Sequence, residues 1–137
     1  MKKRVLISGG AGFIGHHVIE EFLRETDYDI VSIDRLDTSG DLNRVFEVLE
    51  KNPAWKKRVE ILWHDLKAPI NEVMRHKIGP INYVLHLAAG SHVDRSIEYP
   101  MEFVMDNVVG TVNMLDYARV HLADTLEKFL YFSTDEV

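Results

Sequence analysis

An α/β architecture built on one open, parallel, doubly wound sheet is predicted by three features of the 137-residue sequence. Short β-branched runs alternate with amphipathic segments along the whole chain, the order that produces β-α-β crossovers and helices on both faces of a sheet. Several of these runs are apolar at consecutive positions, as strands covered on both faces must be. With 46% apolar and 28% charged residues, the chain falls among globular proteins and is sized for a single core, so residues 1–137 are read as one domain.

The elements follow in order. The first strand is expected at Arg4–Ser8, R-V-L-I-S, and runs into the glycine-rich stretch G-G-A-G-F-I-G, Gly9–Gly15. Ile14, Val18 and Phe22 recur every fourth residue, with Ile19 and Leu23 beside them, which predicts a helix. A second strand is expected at Asp29–Asp34 and a second helix at Asp41–Lys51, ended by Asn52-Pro53. Lys56-Lys57-Arg58 reads as a solvated loop ahead of a third strand, Arg58–Trp63. A shorter helix over Pro69–His76 precedes a fourth strand at Ile81–Leu87. Pro100 then opens the longest helix, Pro100–Leu122, since its missing N–H has no partner in a first turn anyway. Phe103, Asn107, Thr111, Met114 and Ala118 share one face of it, and Lys128–Ser133 is the fifth strand.

Composition excludes several functions. There is no cysteine, hence no disulfide and no thiolate metal site. His16 and His17 are adjacent and point to different helix faces, and no H-x3-H pair occurs, so no metal site is expected. A net charge of −6 argues against a nucleic-acid surface. No run approaches the roughly 20 apolar residues of a membrane helix. The apolar part of the N-terminus, Val5–Ile7, is too short for a signal peptide, so a cytoplasmic protein is expected.

Gly9, Gly12 and Gly15 have the spacing G-x-x-G-x-x-G between a predicted strand and a predicted helix, the setting in which glycines cradle a pyrophosphate. Without a Cβ the backbone turns tightly, and the N–H groups of the following helix face the negative charge. The alternative is a tight strand–helix turn that serves packing alone. Asp34 ends the second strand, 19 residues beyond Gly15, where a carboxylate bonds adenosine ribose hydroxyls and repels a 2′-phosphate. NAD is therefore favoured over NADP, although Arg35 beside it offsets part of that repulsion. Asp65 and Leu66 follow the third strand, Asp65 as either an adenine contact or a helix N-cap, and Leu66 as a packing surface for the ring. These features describe a Rossmann-type NAD-binding domain.

Ligands of open α/β sheets lie outside the carboxyl ends of the strands. The glycine loop, Asp34, the small loop after the fourth strand and the final S-T-D-E therefore converge on one rim. Asp94-Arg95 is either a local ion pair or part of that rim. Asn107 either ties backbone together or positions a catalytic group.

G-G-A-G-F-I-G, H-L-A-A-G-S-H-V-D-R-S at His86–Ser96, N-V-V-G-T at Asn107–Thr111 and the closing S-T-D-E-V together resemble the extended short-chain dehydrogenase/reductase family. Within it they are most similar to the nucleotide-sugar 4,6-dehydratases of the dTDP-glucose type. The resemblance implies NAD-dependent oxidation at sugar C4, loss of water across C5 and C6, and reduction at C6. It implies Thr134 as a contact to the C4 oxygen, Asp135 as general acid at the C6 hydroxyl and Glu136 as base at C5. Adjacent acids in a partly dry cleft can be driven to different pKa values, as such a division requires. It also implies Phe13 and Ile14 against the pyrophosphate, Leu87, Ala88 and Ala89 near the adenosine and ribose, and Ser91 near a nucleotide-diphosphate sugar. Relatives commonly form homodimers through long helices such as Pro100–Leu122.

Two residues depart from that pattern. Gly90 stands where glutamate is usual, which removes a side chain near cofactor or substrate. Asp106 stands where a small hydroxyl residue is common, which puts a charge near the nicotinamide side or on solvent. The family's Tyr-x3-Lys pair is also absent, because no tyrosine here has lysine four positions on. The expectation is thus the N-terminal cofactor half of a longer dehydratase, inactive alone. The alternatives are an epimerase or decarboxylase of the same family, or a non-catalytic NAD-binding module.

Overall fold

In the computed structural model residues 1–134 are described. Asp135 and Glu136, to which the resemblance assigns acid and base roles, lie outside the described residues. Five strands, β1 (Arg4–Ser8), β2 (Asp29–Asp34), β3 (Val59–Trp63), β4 (Tyr83–His86) and β5 (Lys128–Tyr131), form one sheet in the order β3-β2-β1-β4-β5. Every pairing is parallel. The helices are α1 (Gly15–Glu25), α2 (Leu42–Glu50), α3 (Glu72–Ile78), α4 (Val93–Glu98), α5 (Pro100–Val104) and α6 (Gly110–His121). The expected doubly wound α/β fold is the observed one.

Alternate residues of each central strand serve opposite faces. Val5 and Ile7 of β1 join Ile30, Leu85, Ile19, Leu23, Val45 and Val48 in one core, covered by α1 and α2. Leu6 joins Val31, Ile33, Val84, Ile78, Met114 and Leu122 in the other, covered by α3 and α6. Both faces being dry explains why β1 and β2 read as continuous apolar runs. The strand order reverses beside β1, with β2 and β3 to one side and β4 and β5 to the other. The carboxyl ends of β1 and β4 therefore flank an open crevice, the usual ligand position in such sheets.

Local chemistry sets the element ends and accounts for three differences from expectation. The third helix begins later than Pro69, because Asn71 caps it by accepting the Met74 N–H at 2.9 Å. It ends at Gly79, whose φ of +65° stops the helix at low cost. Arg58 is not a solvated neighbour of Lys56 and Lys57. Its guanidinium donates to the carbonyls of Leu23 (2.9 Å), Thr26 (2.7 Å) and Tyr28 (2.8 and 3.1 Å), bolting the end of α1 to the entry of β2. The long helix is also not uniform. A π-helical turn at Met105–Val109 separates α5 from α6, a feature frequent at functional sites. Among the described residues no helix is long and apolar enough to cross a membrane.

Candidate active site

A cleft of about 950 Å³ runs along the carboxyl ends of the strands. It is lined by Gly9, Gly12, Phe13, Ile14 and Gly15 at its centre, by Asp34, Arg35, Asp65 and Leu66 toward β2 and β3, and by Leu87, Ala88, Ala89, Gly90 and Ser91 after β4. Asn107, Ser133 and Thr134 complete it. All the sequence-predicted site residues that are described thus share one cavity, within the 300–1,000 Å³ typical of ligand sites.

The glycine loop is shaped as a cradle. Gly9 has φ +77°, and a Cβ there would lie 3.0 Å from the Ala88 backbone, so β1 and the loop after β4 press together only through glycine. A Cβ at Gly15 would lie 2.0 Å from the Gly9 carbonyl oxygen, a contact no side chain can make. Helix α1 has no side-chain cap. The N–H groups of Phe13 and Ile14 meet no acceptor among the described residues, and both residues line the cleft. Exposed donors at a helix N-terminus, reached through a backbone that no side chain obstructs, fit a diphosphate.

At the β2 end, the Asp34 carboxylate accepts the Ala11 N–H at 3.1 Å and the Leu36 N–H at 2.8 Å. Both oxygens of this cleft-lining residue are thereby fixed in place, each keeping room to accept a further hydrogen bond. Asp65 accepts the Lys67 N–H at 3.0 Å in a local turn and caps no helix. Partial burial works against its ionised form, but the Lys67 N–H, the Lys67 ammonium and Arg35 outweigh that and hold its pKa below the ordinary value. Leu66 touches the cleft but is only 8% exposed, packed mainly into the α6-side core. Its carbonyl accepts from Asn113 at 2.7 Å.

The loop after β4 is held from two sides. Asn107 accepts the Gly90 N–H at 2.7 Å and donates to the Gly90 carbonyl at 3.1 Å, tying loop backbone to the π turn. On the other side Ser8 Oγ accepts the N–H groups of Leu87 (3.1 Å) and Ala88 (3.2 Å). Its own hydrogen is then directed to His86 Nδ1 at 2.6 Å, which leaves the imidazole proton on Nε2, donated to Thr111 Oγ1 at 2.9 Å. His86 is fully buried, and burial drives its pKa down to about 4. A neutral histidine therefore links β1, β4 and α6 behind the cleft.

Sequence reasoning missed this relay, although a signal exists: Ser8 and His86 are polar ends of apolar strands and are register partners across the sheet. It also missed the partner of Asp106. That carboxylate is largely shielded from solvent and pairs in two-point fashion with Arg35, Oδ1 to Nη1 at 2.5 Å and Oδ2 to Nη2 at 2.9 Å. Arg95 pairs with Glu102 at 3.6 Å, not with Asp94. Among the described residues no group of three or more His, Asp or Glu is arranged to hold a metal ion.

The GDP-mannose 4,6 dehydratase family model matches residues 6–137. A dTDP-glucose 4,6-dehydratase of Neisseria meningitidis serogroup B is 37% identical over 142 residues, covering 98% of this chain and 38% of its own. A dTDP-glucose 4,6-dehydratase from Bacillus anthracis, solved in complex with NAD, superposes with a TM-score of 0.75 at 27% identity, covering 98% of this chain and 38% of that one. A UDP-glucose 4-epimerase from Bifidobacterium longum, in complex with NAD+ and UDP, gives 0.80 at 25% identity, covering 97% and 37%. The chain thus spans well under half the length of the relatives it matches.

Proposed function

Because the chain belongs to the GDP-mannose 4,6 dehydratase family, we propose that it is the NAD-binding half of a nucleotide-sugar 4,6-dehydratase of the dTDP-glucose type. The observation that carries the reading is the one cleft in which the glycine cradle, Asp34 and the Ser133–Thr134 segment after β5 meet. The donors at Phe13 and Ile14 hold the diphosphate, Asp34 takes the adenosine ribose hydroxyls, Asp65 takes the adenine amino group, and Leu87 to Ala89 line the ribose path. Bound NAD+ supplies the hydride acceptor for sugar C4 and the donor for C6. Thr134 hydrogen-bonds the C4 oxygen and Ser91 contacts the sugar nucleotide. Asp135 gives a proton to the departing C6 hydroxyl, which leaves as water, while Glu136 removes the C5 proton; the C–H electron pair becomes the C5–C6 double bond.

A polypeptide of these 137 residues binds the dinucleotide but does not turn over, since it contains no Tyr-x3-Lys pair to take the C4 hydroxyl proton. The complete enzyme is read as a cytoplasmic homodimer. Met101, Val104, Val108, Val112 and Leu115 form an exposed apolar stripe along α5 to α6 that supports self-association. The test is a fluorescence titration with NADH, followed by assay for a 4-keto-6-deoxy sugar nucleotide. Micromolar binding without product is expected; product formation by this chain would refute the division of labour. The epimerase likeness supports a second reading, 4-epimerisation. In a longer chain carrying the Tyr-x3-Lys pair, Glu136→Gln abolishes elimination while NAD+ reduction persists if the enzyme is a dehydratase, and changes little if it is an epimerase.

A further inference from the structure

Three cations line the adenosine end of the cleft, and each is already engaged. Lys67 lies 3.4 Å from Asp65, and Arg44 donates to the carbonyls of Ser39 at 3.0 Å and Ala11 at 3.3 Å. Arg35 is held most completely. Its Nη1 and Nη2 meet Asp106 at 2.5 and 2.9 Å, and its Nε lies 2.5 Å from Asp37. Its carbonyl accepts from Trp63 Nε1 at 2.9 Å, so the backbone is anchored as well. Arginine directly after the ribose-binding acid is a residue type able to accommodate a 2′-phosphate, because its planar fork matches phosphate oxygens at two points. Here that fork is turned onto a carboxylate.

The two departures from the family pattern meet in this arrangement. A Cβ at Gly90 would lie 2.9 Å from the Phe103 ring and 3.4 Å from Asp106 Oδ2. Glycine at 90 therefore lets α5 and the π turn close onto the loop. That turn brings two successive residues to the cleft, Asn107 onto Gly90 and Asp106 onto Arg35. The Asp106 side chain is only 13% exposed, which strengthens its hold relative to a surface pair.

We propose that Asp106 is a cofactor-specificity residue: by holding the Arg35 guanidinium, it denies a 2′-phosphate its cation and keeps the cleft selective for an adenosine ribose with a free 2′-hydroxyl. The proposal rests on the dinucleotide reading of the cleft. Asp34 repels the phosphate directly, whereas Asp106 removes the group that would otherwise compensate. Replacing it leaves Arg35 with one ion-pair contact, to Asp37, with Asp65 acting at longer range, and a fork free to turn to the ribose.

The test compares dissociation constants for NADH and NADPH, and for 5′-AMP and 2′,5′-ADP, by tryptophan fluorescence and calorimetry. The proteins are the parent chain, Asp106→Asn, Asp106→Thr, and each combined with Arg35→Gln. The parent should prefer NADH. Either single substitution should shift the NADPH-to-NADH ratio by about tenfold toward NADPH, the scale of one charge-assisted hydrogen bond. Adding Arg35→Gln should abolish that shift. A ratio within twofold of the parent in both folded single variants, or a shift that survives Arg35→Gln, would overturn the proposal alone. Failure of the parent to bind either dinucleotide or 5′-AMP would overturn the cofactor reading and the proposal together.

Discussion

Between about pH 6.5 and pH 4, above the range in which the carboxylates titrate, acid should loosen this domain chiefly through His86. The side chain is fully buried between Ser8 and Thr111, and its pKa is about 4 against an ordinary value near 6.5. Because the folded value is the lower one, the unfolded chain binds this proton first as pH falls. The group costs no stability above about pH 6.5, and its contribution is lost progressively down to about pH 4. The gap of roughly 2.5 units, at about 1.4 kcal/mol each, sets the total loss at about 3 kcal/mol. That is a large share of the 5–15 kcal/mol typical of a domain. The assay is urea unfolding followed by circular dichroism between pH 4.5 and 8, on the parent and on His86→Gln. At pH 8 the variant should be less stable by about 1–3 kcal/mol, because glutamine cannot satisfy Ser8 and Thr111 with the same geometry. Its stability should then fall less steeply below pH 6.5, by up to about 1.4 kcal/mol per pH unit. Parallel profiles for the two proteins across that range would refute the assignment of the titrating group to His86.

Three further outcomes follow from the packing. Gly15→Ala places a methyl carbon 2.0 Å from the Gly9 oxygen, so the cradle must open; NADH affinity should fall at least about tenfold with the circular dichroism spectrum retained, as measured by fluorescence titration. Arg58→Lys keeps the charge but loses the fork that spans three carbonyls, and thermal unfolding should show a loss of about 1–3 kcal/mol. Tyr117→Phe removes a buried hydroxyl with no hydrogen-bond partner among the described residues, so unfolding by urea should show stability unchanged or raised by up to about 1 kcal/mol.

Much of the site was readable from residue types at spacings that one element dictates. The glycine spacing needs only a strand, a turn and a helix, and an acid at the end of the next strand must reach the same rim of a parallel sheet. Asn107 was visible as an amide on an apolar helix face, and both of its open roles needed only that face. By contrast Arg58 looked like its two lysine neighbours. Which of three adjacent cations meets the carbonyls at the end of α1 depends on how that helix docks, and local sequence carries no trace of it.

The strand sequence, the parallel order and the convergence of loops on one edge followed from chain order and alternation, since connectivity and handedness leave few ways to wind such a sheet. Tertiary structure decided the partners across long separations: His86 with Ser8 and Thr111, and Arg35 with Asp106. Ser8 and His86 at least each form the polar end of an apolar strand, but nothing in the separate elements gives the distance from His86 to Thr111 or from Arg35 to Asp106. Asp106 shows this most plainly. A π turn sets its direction, and the bare backbone of Gly90 sets how close that turn can come. A charge that the sequence reading set near the nicotinamide side or in solvent is therefore paired with Arg35, the cation that follows Asp34 at the end of β2.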